Sequence, residues 1–149
     1  YLPLATHAYD LGHVAGVNAA GGNVKYEPFV KNISVKFFNK FFTSVGLSEL
    51  DAERHGFDAK IISAKARNLV AVMPGSDYVL GKVLVDKSSN KILGASFLGG
   101  NEISGYADLI SALIRLNAPA TTLSKINYNY TPPLSPFINL LSIIGKQVK

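Results

Sequence analysis

Few residues in this chain have the types and spacing that chemistry needs. Glu49, Asp51 and Glu53 cluster on one short stretch, where negative charge at a helix start is their ordinary use. Glu102 and Asp108 fall on a longer amphipathic stretch and read as solvent-facing groups rather than an acid/base pair. Gly99-Gly100-Asn101-Glu102 could cradle an anion, although a turn into a helix start is the commoner role. His7, His13 and His55 do not form a ligand set, because His7 and His13 lie about 240° apart around a helix of 3.6 residues per turn. No cysteine is present, which removes thiol nucleophiles, thiolate metal sites and disulfides from this stretch. No P-loop, GxGxxG, GxSxG or HExxH pattern occurs. What stands out instead is YNYTPPLSPF, Tyr128 to Phe137. So stiff and aromatic a segment, close to a chain end of the kind that usually frays, points to a docked tail. The residues alone give a domain that is not self-sufficient for catalysis.

Bulk composition narrows the partners. The 149 residues suit one domain with a real core, and at 48% hydrophobic against 17% charged the chain has apolar surface to spare for a further interface. The net charge is +5, but the lysines are scattered rather than clustered, so a nucleic-acid groove is not expected. No apolar run reaches the length of a membrane span, and YLPLATHAYD lacks the basic start and apolar centre of a signal peptide. No membrane association and a cytoplasmic location are the expectation.

The elements that must position these residues can be read from their periodicity. Thr6 to Ala20 reads as a helix, with Thr6 as N-cap and Gly21-Gly22 as its stop. Its body is rich in small residues, and the Gly12-x-x-x-Gly16 pair calls for close backbone packing to offset the helix cost of glycine. Its first turn, LPLAT, offers backbone amides and little side chain, a setting that favours electron-rich groups. Ile33–Phe38 and Phe41–Val45 read as strands. A short helix follows, with Ser48 as N-cap, Asp51 at N3 and Gly56 as its end. Asp58–Lys65 and Asn68–Met73 are β-rich runs, Pro74-Gly75 is a turn, and Leu80–Val85 and Ile92–Leu98 flank a hairpin turn at DKSSNK. Glu102–Leu116 is a strong amphipathic helix, followed by a short helix near Thr122–Ile126 and an apolar helix over Phe137–Ile144. These elements predict an α+β fold with a mostly antiparallel β-sheet flanked by helices, and a boundary near Gly22.

Two separated stretches resemble one family. YLPLATHAYDLGHVAGVNAAGG is similar to the segment that closes the FAD domain of pyridine nucleotide-disulfide oxidoreductases. YTPPLSP, preceded by KILGASFLGG and its helix, resembles the C-terminal dimerisation domain of that family, in the branch of NADH oxidases, NADH peroxidases and CoA-disulfide reductases. The histidine–glutamate pair of the glutathione reductase branch has no counterpart here. The resemblance implies that residues 1–22 are the C-terminal end of an FAD-binding domain and 23–149 the dimerisation domain. It further implies FAD as cofactor, NAD(P)H as cosubstrate, a homodimer, and FAD and NAD(P)H domains upstream of Tyr1. The fragment alone is expected to be inactive.

Positions transfer one by one. The resemblance implies that backbone at Leu4, Ala5 and Thr6 meets the flavin as the first helix starts; an ordinary N-cap at Thr6 is the plainer alternative. It implies that Tyr130 reaches across the dimer to the partner's flavin site, where its phenol could donate a hydrogen bond or a proton. The plainer alternative is a core tyrosine with a satisfied hydroxyl. Tyr128 has no matching role and reads as packing. Phe137, Leu140, Leu141 and Ile144 are expected to bury the tail helix against the partner. Ile138 stands where CoA-disulfide reductases carry a lysine, Tyr9 where they carry a histidine, and Val72-Met73 where they usually show a tyrosine, which weakens CoA recognition. An alternative from another class is a free-standing homodimeric binding module derived from this domain, without catalysis.

Overall fold

A computed structural model describes residues Leu4–Val148; Tyr1 and Pro3 of the resembling motif lie outside the described residues. The chain divides into two compact units, one up to Val30 and the other from Lys31.

In the first unit, α1 spans Ala5–Ala19. Its N-cap is Leu4, in an extended conformation, and no side chain caps the first turn. Thr6 is therefore already inside the helix, one residue past its start, and is not the cap expected from its type. Gly21 ends the helix at φ +90, where a left-handed residue lets the Gly22 amide reach the Val17 carbonyl (2.9 Å). The chain then folds back: Asn18 brackets Val24 through both its amide groups (2.9 and 2.7 Å), and the His7 ring lies 3.7 Å from that of Phe29. His7 is the buried residue of α1. Nothing lies within 4 Å of the place a Cβ would take at Gly12 or Gly16, so their expected close packing is not made among the described residues.

The second unit is built on five antiparallel strands: β1 (Asn32–Phe37), β2 (Lys40–Gly46), β3 (Ala59–Arg67), β4 (Tyr78–Asp86) and β5 (Ile92–Gly99), in the order β1-β2-β5-β4-β3. Register explains its two faces, since side chains alternate along each strand. The row Val45, Ala95, Val83, Ile62 and the row beside it, Thr43, Phe97, Gly81, Ala64, face one side. Helices α3 (Ile103–Arg115) and α4 (Leu140–Gln147) cover that side and close the core through Ile103, Ala107, Ile110, Leu140, Leu141 and Ile144. The opposite face carries Phe42, Leu98, Leu80 and Lys65 in one row, and Ser44, Ser96, Lys82 and Ser63 in the next. Phe42, Leu80 and Leu98 stay exposed there. Helix α2 (Glu49–Arg54) borders this face, tied to it by a Glu49–Lys82 ion pair. It starts on the expected capping box: Ser48 Oγ accepts from the Asp51 amide, and the Asp51 carboxylate accepts from the Ser48 amide. The Ser48 hydroxyl also donates to the Asp51 carboxylate (2.6 Å); that bond foremost, and then the one from the Ser48 amide, hold the Asp51 carboxyl below its usual range.

The turn at DKSSNK is also as expected. The Asp86 carboxylate accepts from the Ser88 hydroxyl (2.7 Å), the Ser89 hydroxyl and the Ser89 amide (2.8 Å), which draws its pKa down to about 2. Asn90 turns the chain at φ 55. Asn68–Met73, expected as β-rich, is not a strand. The β3–β4 pairing ends at Arg67 and Tyr78, and Asn68 and Asp77 then close the connection, the Asn68 amide donating to the Asp77 carbonyl and the Asp77 amide to Asn68 Oδ1. The run between them pairs with no strand and folds into turns around Pro74 and Gly75, the latter at φ 80, with the Met73 amide on the Val70 carbonyl and the Ser76 amide on the Met73 carbonyl. Among the described residues no helix is long and apolar enough to cross a membrane.

Candidate functional site

The tail is anchored from its end backwards. Asn139 caps α4 by accepting the Leu141 amide (2.9 Å), so the helix starts there rather than at the expected Phe137. Asparagine is a strong N-cap and phenylalanine is a poor one. Leu140, Leu141 and Ile144 are fully buried within the domain's own core. This corrects their expected burial against a partner; of that set only Phe137 faces outward, at 77% exposure. The inner face of α4 lies on a 3-10 turn at Ala120–Ser124, slightly earlier than the short helix expected there, because Pro119 sets its start. Gly145 permits this contact: a Cβ there would lie 2.4 Å from the Ser124 nitrogen.

Between the 3-10 turn and α4 runs the arm that carries Tyr130. Tyr128 is half-buried and its hydroxyl donates to the Leu123 carbonyl (2.8 Å), which pins the arm's base; burial pushes its phenol well above the usual range. Tyr106 on α3, edge-on to Phe97 at 5.7 Å, is pushed up to about 12 by burial and then by the Glu102 charge. Both phenols are thus held neutral as packing groups. Tyr130 differs. It is 46% exposed, and its ring stands edge-on to Phe137 (5.3 Å, 84°), with exposed Leu134 and Ile138 close by in the chain. It is not a core tyrosine.

Other candidates resolve to structural uses. The Gly100 amide donates to Glu102 Oε1 (2.8 Å), so GGNE supplies its own carboxylate where an outside anion could have sat. Asp108 accepts from Asn32 Nδ2 (2.9 Å) and so ties α3 to β1. Leu4, Ala5 and Thr6 form the uncapped start of α1, with Ala5 and Thr6 exposed. An α-helix leaves its first amides without partners inside the helix. With no capping side chain and no acidic residue in that turn, this end suits an electron-rich group. Sequence reasoning did not single out Ser135, whose hydroxyl bonds on both sides of Tyr130. Its only signal was a serine between prolines, which many turns share.

A five-stranded antiparallel sheet, with α3 and α4 on one face and a pinned arm before α4, makes this an α+β domain. The profile of the family described as "Pyridine nucleotide-disulphide oxidoreductase, dimerisation domain" matches residues 33–140. The chain belongs to that family. It is 27% identical over 149 residues to the NAD(P)H sulfur oxidoreductase (CoA-dependent) of Pyrococcus abyssi, covering 100% of this chain and 33% of that protein. The structure of an NAD-dependent persulfide reductase from A. fulgidus superposes with a TM-score of 0.90 at 26% identity, over 97% of this chain and 27% of the other. A water-forming NADH oxidase from Lactobacillus brevis shares the fold, with a TM-score of 0.89 at 24% identity, over 98% and 32% of the two chains. The chain spans about a third of the length of the curated relatives it matches.

Proposed function

We propose that this chain is the dimerisation part of an FAD-dependent NAD(P)H oxidoreductase that reduces a sulfur, peroxide or oxygen acceptor, and that it presents Tyr130 to the active site of a second copy. The observation that carries this reading is the exposed Tyr130 on an arm whose base is pinned, within an apolar patch that leaves Phe137 77% and Leu134 64% exposed. An exposed apolar patch of this kind marks an interaction surface, and membership of a dimerisation-domain family makes a second copy its occupant.

Residues 1–22 are read as the end of an FAD-binding domain. Leu4, Ala5 and Thr6 would hold the flavin through the backbone of an uncapped helix start. The small-residue body of α1, with nothing packed at Gly12 or Gly16, supports an upstream domain lying against it. FAD, when bound, accepts a hydride from NAD(P)H and passes two electrons on. The share of this chain is to seal the subunit pair, favour negative charge at the start of α1, and hold a proton at Tyr130 Oη for the acceptor. Ile138 and Tyr9 each stand where CoA-disulfide reductases carry a lysine or a histidine, so each position lacks a group that could grip a CoA phosphate. Sulfur, peroxide or oxygen acceptors without that handle fit at least as well as CoA disulfide.

Sedimentation equilibrium of the 149-residue chain tests the interface. At micromolar concentration it is expected to run at twice its 16.0 kDa mass, without stable FAD binding and without NADH oxidation. A 16.0 kDa species under those conditions would count against the interface.

A further inference from the structure

We infer that Ser135 is the positioning residue that aims Tyr130, an inference resting on the reading of Tyr130 given above. The Ser135 hydroxyl makes two bonds at once. It donates to the carbonyl of Asn129 (2.9 Å) and accepts the amide of Thr131 (3.2 Å). Those groups belong to the two peptide planes that flank Tyr130. Peptide planes are rigid, so the only soft angles between them are φ and ψ of Tyr130 itself. Tying one oxygen to both planes fixes those angles, and with them the direction in which the phenol leaves the backbone.

The clamp is itself held in place. The Ser135 amide donates to the Thr131 carbonyl (3.0 Å), as does the Leu134 amide (2.9 Å), closing a single turn over Thr131–Ser135. Pro132 and Pro133 fix φ at the two residues that follow Thr131 in that turn. Below the clamp the Tyr128 hydroxyl ties the arm to Leu123, and beside it the Phe137 ring backs that of Tyr130. A hydroxyl is required at 135, since the site needs a donor and an acceptor on one atom, which serine and threonine provide and alanine does not. The arm thus carries its aim before any partner arrives, and association does not have to order Tyr130.

The test uses the full-length protein, with NADH oxidation followed for polysulfide, CoA disulfide, hydrogen peroxide and dioxygen as acceptors. Ser135→Ala is expected to lower kcat with the preferred acceptor about tenfold, the worth of one to two lost hydrogen bonds, while KM for NADH and Tm stay near wild type. Ser135→Thr is expected to restore the rate. Adding Ser135→Ala to Tyr130→Phe should slow the enzyme no further, because the clamp acts only through the phenol. Residue-resolved hydrogen exchange gives a readout independent of turnover: the Thr131 amide should exchange about tenfold faster in Ser135→Ala and not in Ser135→Thr. An unchanged Thr131 amide overturns the clamp. A wild-type rate in Ser135→Ala beside a slow Tyr130→Phe overturns the aiming role. A wild-type rate in Tyr130→Phe overturns the reading of Tyr130, and with it any catalytic meaning of the clamp.

Discussion

Tyr130→Phe in the full-length protein is expected to slow reduction of its preferred acceptor about a hundredfold, at the low end of what a positioned proton donor contributes. The substitution removes one oxygen and keeps the ring, so the edge-on contact with Phe137 survives. The hydroxyl belongs to a half-exposed side chain, so its loss should leave Tm within a degree or two of wild type. On the proposed reading NAD(P)H binds an upstream domain rather than the arm, so its KM should not move. A loss in kcat with KM retained is the signature of a group that acts in the reaction rather than in assembly. Steady-state turnover with dioxygen, hydrogen peroxide, CoA disulfide and polysulfide measures it. Unchanged rates with all four would remove Tyr130 from the site.

The second large effect concerns the support of the arm. Gly145→Ala is expected to destabilise the domain by about 2–3 kcal/mol, as overpacking of a tight contact does. The new methyl would lie 2.4 Å from the Ser124 nitrogen and 2.8 Å from the Leu123 carbonyl carbon. These are backbone atoms of the 3-10 turn and cannot rotate out of the way. Helix α4 would have to lift, drawing Leu140, Leu141 and Ile144 out of the core. The same Leu123 holds the Tyr128 hydroxyl, so the base of the arm would loosen too. Thermal unfolding should show a Tm lower by about 5–10 °C for a domain of this size. A Tm equal to wild type would mean that the contact yields without cost.

Where one physical rule dominates a segment, the sequence and the structure agree. Alternation along β4 and β5, the 3.6-residue face of α3 and the reciprocal pair Ser48/Asp51 each leave one good solution. Disagreement appears where the outcome depends on what lies opposite. Asn68–Met73 has the composition of a strand but lies in the connection that joins β3 to β4 beyond Arg67 and Tyr78, and its backbone bonds close turns instead. Thr6 has the type of an N-cap, yet the helix begins at Ala5. Leu140, Leu141 and Ile144 are apolar at helical spacing, a pattern that says a face is buried without saying against what. The family of the domain was legible because two motifs lie in order at opposite ends of the chain. The clamp on Tyr130 was not, since it depends on a hydroxyl meeting two backbone groups, and no residue pattern records that meeting.

The most direct measurement places a photoreactive benzoylphenylalanine at position 130 of the full-length protein and irradiates the purified dimer. Delivery of Tyr130 across the interface predicts a covalent product of twice the subunit mass, with peptide mapping that joins residue 130 to the flavin-site segment of the other copy. Cross-links confined to a single subunit would contradict it.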